Sequence, residues 1–242
     1  MKLHDTQITN YLTFCKSQKC LDVKTIRAYK IDLTHFASTM PAETSLYDIA
    51  SRQIESYIAH LHSIYKPKTA KRKIASLKAF FHYCEFYEFI ERNPFDKIQI
   101  RFREPVILPK TIPLQTLELF LSTIYNQRQL ATTSYQQKNA LRDAAVIELL
   151  FATGIRISEL CSLKSCDVNL NDNFVLIYGK GSKERKLQIG NDNVLETLNE
   201  YKNTFSKEIE NCGHFFANQS GKPLSDQSVR RMIQKYASLA DI

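Results

Sequence analysis

Residues 152–186, ATGIRISELCSLKSCDVNLNDNFVLIYGKGSKERK, restrict the fold more than any other stretch of the chain. An apolar helical run meets Gly154, and glycine takes the left-handed conformation that ends a helix. Residues 155–164 follow, with Ile157, Leu160, Cys161 and Leu163 at helix-compatible spacings. Arg156 therefore stands at or just before a helix start, where free N–H groups and a partial positive charge attract phosphate. Residues 174–178, FVLIY, are β-branched and aromatic and predict a strand. Residues 179–183, GKGSK, predict a turn, and 185–189 the returning strand. Lys180 lies between two glycines, which lets a phosphate backbone approach closely. Arginine holds two non-bridging oxygens bidentately, and lysine serves as a point charge or proton donor. A helix end and a hairpin tip that bring Arg156 and Lys180 together suit a phosphodiester.

At these residues the chain resembles the tyrosine recombinase and phage integrase family, close to its Xer-like members. ATGIRISEL (152–160) is similar to the family's first catalytic box, with Arg156 as its arginine. YGKGSKERK (178–186) is similar to the catalytic-lysine hairpin, with Lys180 between its glycines. The resemblance implies a reaction that needs no cofactor and no metal. A tyrosine attacks the scissile phosphate and leaves a 3′-phosphotyrosine, while arginines supply the charge stabilisation a metal would otherwise give. In it Arg156 neutralises the non-bridging oxygens and Lys180 protonates the departing 5′-oxygen. Glu159 orients Arg156 or caps its helix. Lys183 and Arg185 touch the DNA backbone or line a solvated hairpin edge.

The implied fold is mainly α with a small β-hairpin or sheet. A helical core-binding (SAM-like) domain occupies residues 1–100, a linker 101–113, and an incomplete α+β catalytic domain 114–242. The residues support this division. Helices are predicted over 7–17, 23–39, 51–64 and 68–89, with the last stopped by Asn93-Pro94. Their apolar stripes are Ile26, Tyr29, Leu33 and Phe36, then Ile54, Ile58 and Leu61, then Ile74, Leu77, Phe81 and Cys84. Residues 101–113 carry three prolines and no period, the mark of a linker. The second half predicts helices over 114–126, 139–153 and 191–205, an exposed glutamine-rich loop over 126–138, and a strand or buried turn at 214–217. Ser225 then caps a last helix through Tyr236.

Charge points to the same partner. The chain carries +8, and residues 1–105 hold 17 Lys+Arg against 11 Asp+Glu, so most of the excess lies in the first half. It concentrates in 66–78, where Lys66, Lys68, Lys71, Arg72, Lys73 and Lys78 open a helix with no acid among them. Alone, such a run reads as a solvated face; with the motifs of the second half it reads as a grip on the backbone of double-stranded DNA. Thr25, Arg27, Tyr29 and Lys30 are weaker contacts, and Tyr29 serves the core equally well. The resemblance also implies two domains closing on the duplex as a clamp, and it allows a homo- or hetero-oligomer on that DNA.

Other features exclude classes. No apolar run is long enough to span a membrane, and Met1 opens a polar helix rather than a signal peptide. The six cysteines form no CxxC pair, so they read as reduced thiols of a cytoplasmic protein, and no Cys/His set has zinc-finger spacing.

The implied chemistry also needs a His-x-x-Arg box, a further His or Trp, and a tyrosine nucleophile. The histidines at 4, 35, 60, 62, 82 and 214 are followed three residues later by Gln7, Ser38, Ser63, Tyr65, Glu85 and Ala217. The expectation is therefore a C-terminally truncated recombinase that binds DNA without cutting it, with Tyr236 and His214 structural. Two rival readings are a catalytically inactive remnant occupying recombination sites, and a basic helical protein for RNA or protein partners. Truncation further predicts that the apolar faces of 140–150 and 229–237 lie exposed.

Overall fold

The computed structural model describes residues 3–41, 44–100, 102, 108, 111–179 and 183–242, with side chains from residue 6. The chain divides into two units, Met1–Leu108 and Pro109–Ile242. Most of the 101–113 stretch lies outside the described residues. No described helix is long and apolar enough to cross a membrane.

The first unit is built from α1 (Leu3–Ser17), α2 (Val23–Thr39), α3 (Ser51–Ile64) and α4 (Pro67–Phe86). Asp22 caps α2 by accepting from the Lys24 amide at 2.8 Å, and Pro67 sits in the first turn of α4, where no amide partner is lost. Tyr11, Leu33, Phe36, Ile54, Leu61, Ile74, Leu77 and Phe81 meet in one core. Tyr29 stacks on Tyr11 at 6.0 Å, which places it against that core. The predicted fourth helix runs three residues too far. It ends at Phe86 because Glu88 turns left-handed (φ 58°) and the Phe89 amide returns to the Cys84 carbonyl at 2.8 Å.

The second unit holds α5 (Leu114–Gln129), α6 (Ser134–Thr153), α7 (Ile157–Ser162), α8 (Asp192–Thr204), α9 (Ser206–Cys212) and α10 (Asp226–Leu239). An antiparallel sheet of β1 (Val168–Asn169), β2 (Phe174–Tyr178) and β3 (Glu184–Gln188) lies between α7 and α8 in the chain, in the order β1-β2-β3. The exposed loop expected at 126–138 is mostly helix. Thr133 and Gln136 form a capping box, with the Thr133 hydroxyl accepting from the Gln136 amide and the Gln136 side chain accepting from the Thr133 amide, each at 3.2 Å. Glutamine also favours helix, so only 130–133 connect α5 and α6.

The expected exposure of 140–150 and 229–237 is overturned. Ala140, Leu141, Ala144, Ala145, Val146, Ile147 and Leu149 of α6 are buried, as are Val229, Met232 and Tyr236 of α10. α10 closes this core by packing on α5, α6 and α7. Tyr236 is 1% exposed, and its hydroxyl donates to the buried Asp143 at 3.2 Å. Burial and that carboxylate push its pKa well above the usual phenol value. Asp143 also accepts from Arg142 at 2.6 Å, so the pair is charge-compensated. Tyr236→Phe is expected to lower stability by about 1 kcal/mol, and Leu198→Ala, within α8 and fully buried, by about 2–5 kcal/mol. Urea unfolding of both variants checks the assignment.

Candidate phosphate-binding site

The site begins where α6 ends. Gly154 takes φ 63° and returns its amide to the Leu150 carbonyl at 2.9 Å. Ile155 then enters the core, which fixes the turn and leaves Arg156 as the N-cap of α7. The Arg156 amide donates to Glu159 Oε2, and its guanidinium NH1 to Glu159 Oε1, both at 2.9 Å. Glu159 thus caps the helix and orients the arginine with one carboxylate. α7 has only six residues, so its end contributes little field, and attraction for an anion rests on the guanidinium. The Arg156 side chain remains 73% exposed.

Arg185 reaches the same carboxylate from β3. Its NH2 donates to Oε2 at 2.7 Å and its NH1 to Oε1 at 3.2 Å. Arg185, expected against DNA or at a solvated hairpin edge, makes a fork-to-fork pair that ties the hairpin to α7 while its side chain stays 38% exposed. Glu159 is buried and accepts four hydrogen bonds from these two arginines, and its pKa falls to about 2, led by the Arg185 contact. Gly179 belongs to the same junction. Its amide donates to the Lys183 carbonyl at 2.8 Å, and a Cβ there would lie 3.4 Å from Arg185 NH1 and 3.7 Å from Glu159 Oε1. Lys180, Gly181 and Ser182 lie outside the described residues; the described chain on either side, Gly179 and Lys183, is hydrogen bonded, and Lys183 is exposed.

In the first unit, Lys68, Lys71, Arg72 and Lys78 fall within an arc of about 120° of α4, while Ile74, Leu77 and Phe81 are buried in the core. Lys66, Lys68, Lys71, Arg72 and Lys78 are exposed; Lys73 is not. Lys73 is 5% exposed, with Nζ 3.3 Å from Asp32 Oδ1 and 5.0 Å from the centre of the Tyr65 ring. The sequence expectation of Lys73 as a DNA contact is corrected by this geometry: four residues before Leu77 on the core face, it serves as an interior counter-ion. Asp32 was missed. Its signal was an acid beside Leu33 and Phe36 on an apolar stripe. Arg27 and Lys30 are exposed, Thr25 is half-buried, and His214 donates from Nδ1 to the Cys212 carbonyl at 2.9 Å.

Residues 124–242 match the Phage integrase family, and residues 8–85 the Phage integrase, N-terminal SAM-like domain. A tyrosine recombinase of Agathobacter rectalis is 64% identical over 240 residues, covering 98% of this chain and 77% of that protein. The chain belongs to the tyrosine recombinase family. Tyrosine recombinase XerD of Staphylococcus saprophyticus is 31% identical over 246 residues, covering 98% of this chain and 79% of that protein. Among solved structures, a lambda integrase (75–356) dimer bound to a COC′ core site shares the recombinase fold with TM-score 0.72 and 18% identity, over 100% of this chain and 80% of that one. XerH bound to palindromic difH in a post-cleavage complex gives TM-score 0.70 and 21% identity, over 95% and 66%.

Because the carboxyl pKa of Glu159 is lowered from 4.5 to about 2, its contribution to stability is present above pH 4.5 and is lost as pH falls toward 2. Glu159→Gln is expected to melt lower than the parent at pH 7 and to lose less of its melting temperature between pH 5 and pH 2. Thermal melts across that range measure the difference.

Proposed function

We propose that this protein is a site-specific DNA recombinase. Its first unit grips the backbone of a duplex through the exposed face of α4, and its second unit holds the scissile phosphate at Arg156. The observation that carries the reading is the exposed Arg156 guanidinium, anchored by Glu159 at the α6–α7 turn of a recombinase-family chain. The guanidinium supplies two parallel donors to non-bridging oxygens, the stabilisation a phosphoryl transition state requires. Lys180 is the proposed proton donor to the departing 5′-oxygen, a group basic enough to take a proton from an ammonium. Arg185 supports this site by holding Glu159, and Lys183 contacts the backbone. Lys66, Lys68, Lys71, Arg72 and Lys78 form the grip. Residues 1–100 act as the DNA-gripping domain, 101–113 as the linker and 114–242 as the catalytic domain. Solved relatives in this fold are bound to DNA as dimers, and as a tetramer on a Holliday junction. An oligomer on double-stranded DNA, working in the cytoplasm, is the corresponding assembly here.

Duplex binding is expected to weaken about 10³–10⁵-fold between 50 and 200 mM salt, because several phosphate contacts release counter-ions. Fluorescence anisotropy across that range measures it, and a flat response overturns the reading. Lys68→Ala with Lys71→Ala is expected to reduce the salt slope by about two, whereas Lys73→Met leaves it unchanged. On a nicked suicide duplex, any covalent adduct requires Arg156 and survives Tyr236→Phe. An adduct mapped to Tyr236 overturns the placement of that residue as a core side chain.

A further inference from the structure

Among the described residues of the first unit, Asp32 is the most enclosed carboxylate, at 2% exposure, and its surroundings are unequal. Lys73 approaches Oδ1 at 3.3 Å from inside. The Ser76 hydroxyl donates to Oδ2 at 2.9 Å, and Arg72 NH1 donates to the same oxygen. The two cations differ in one respect: the Lys73 side chain is 6% exposed and that of Arg72 is 47% exposed. One buried negative charge therefore meets two positive ones. A buried carboxylate needs one close counter-ion together with hydrogen bonds to its remaining lone pairs, and Lys73 and Ser76 supply both. Arg72 is the surplus cation. With NH1 on Asp32, the rest of its guanidinium fork remains for an anion at the surface.

We propose that Asp32 is a positioning residue for DNA binding: it locks the rotamer of Arg72 on the outer face of α4, so that the guanidinium meets a backbone phosphate already oriented. The inference rests on the reading of α4 as the DNA grip. Its physical basis is entropy. A free arginine loses several rotatable bonds of freedom when it binds, and one already held at NH1 loses less. Lys73 and Asp32 together keep the interior neutral, so Arg72 is free to share its charge with the phosphate and leaves no uncompensated carboxylate behind.

The test sets geometry against charge. Asp32→Asn makes the protein more positive by one, so simple electrostatics demands tighter DNA binding, whereas positioning demands weaker. The variant of choice is Asp32→Asn combined with Lys73→Met, which removes both members of the interior pair and leaves net charge as in the parent. Thermal melts confirm that it folds. Binding to one duplex is measured by anisotropy from 50 to 200 mM salt. Arg72→Ala is expected to weaken binding about tenfold and to reduce the salt slope by about one. The Asp32→Asn, Lys73→Met variant is expected to weaken it about threefold or more. The triple variant is expected to bind no more weakly than Arg72→Ala alone, so that Arg72→Ala costs less in the double variant than in the parent, a coupling that a purely structural role for Asp32 would not produce. If the double variant binds as the parent does while Arg72→Ala weakens binding, positioning is overturned and the grip reading stands. If Arg72→Ala itself has no effect, Arg72 touches no phosphate, and the positioning inference fails with that part of the grip.

Discussion

The candidate site depends on one carboxylate. Glu159 sits buried between a helix start and a strand, and accepts two hydrogen bonds from Arg156 and two from Arg185. A buried charge with no partner costs several kcal/mol, so α7 and β3 hold their places because leaving would strand it. That single constraint sets the direction of the Arg156 side chain, fixes the hairpin against the helix, and brings Gly179 within van der Waals reach of Arg185 and Glu159.

The first unit applies the same physics to a different end. Asp32 is also a buried acid with two cationic neighbours, one interior and one at the surface. In both units the acid leaves one arginine substantially exposed: Arg156 at 73% and Arg72 at 47%. Arginine suits this arrangement because its fork can engage a carboxylate at one edge and an anion at another, which the compact ammonium of lysine cannot do with fixed geometry. The lysines of α4 supply a diffuse, salt-screened attraction along the outer face. The two arginines add direction to it.

Several elements were legible in the sequence for reasons that act locally. Gly154 ends α6 because only glycine takes φ 63° without steric cost, and the following residues then have to start a new helix. The strand 174–178 and the stripes of α2 to α4 follow from side-chain shape and period, which need no partner to be specified. The failures arose where local signals compete. A polar, glutamine-rich segment reads as loop, yet Thr133 with Gln136 caps a helix there. Aromatic residues after Cys84 continue a helical pattern, yet the chain turns left-handed at Glu88.

The sequence by itself determined the helical class, the turn that presents Arg156, the concentration of positive charge on α4 and the likeness to the recombinase family. Each is carried by residue type, by spacing along the chain or by net charge. Only the tertiary structure decided which basic residues face outward and which acids hold them. Lys71, Arg72 and Lys73 are neighbours in the sequence, but a 100° step per residue puts two outside and turns the third toward Asp32, 41 residues away. Arg185 and Glu159, 26 residues apart, meet only after β3 folds back along β2. Tyr236 carries the residue type of a nucleophile, and packing alone sends its hydroxyl to Asp143, 93 residues away. Charge and residue type are properties of the chain, whereas burial and pairing belong to the packed core, which forms only when distant segments share it.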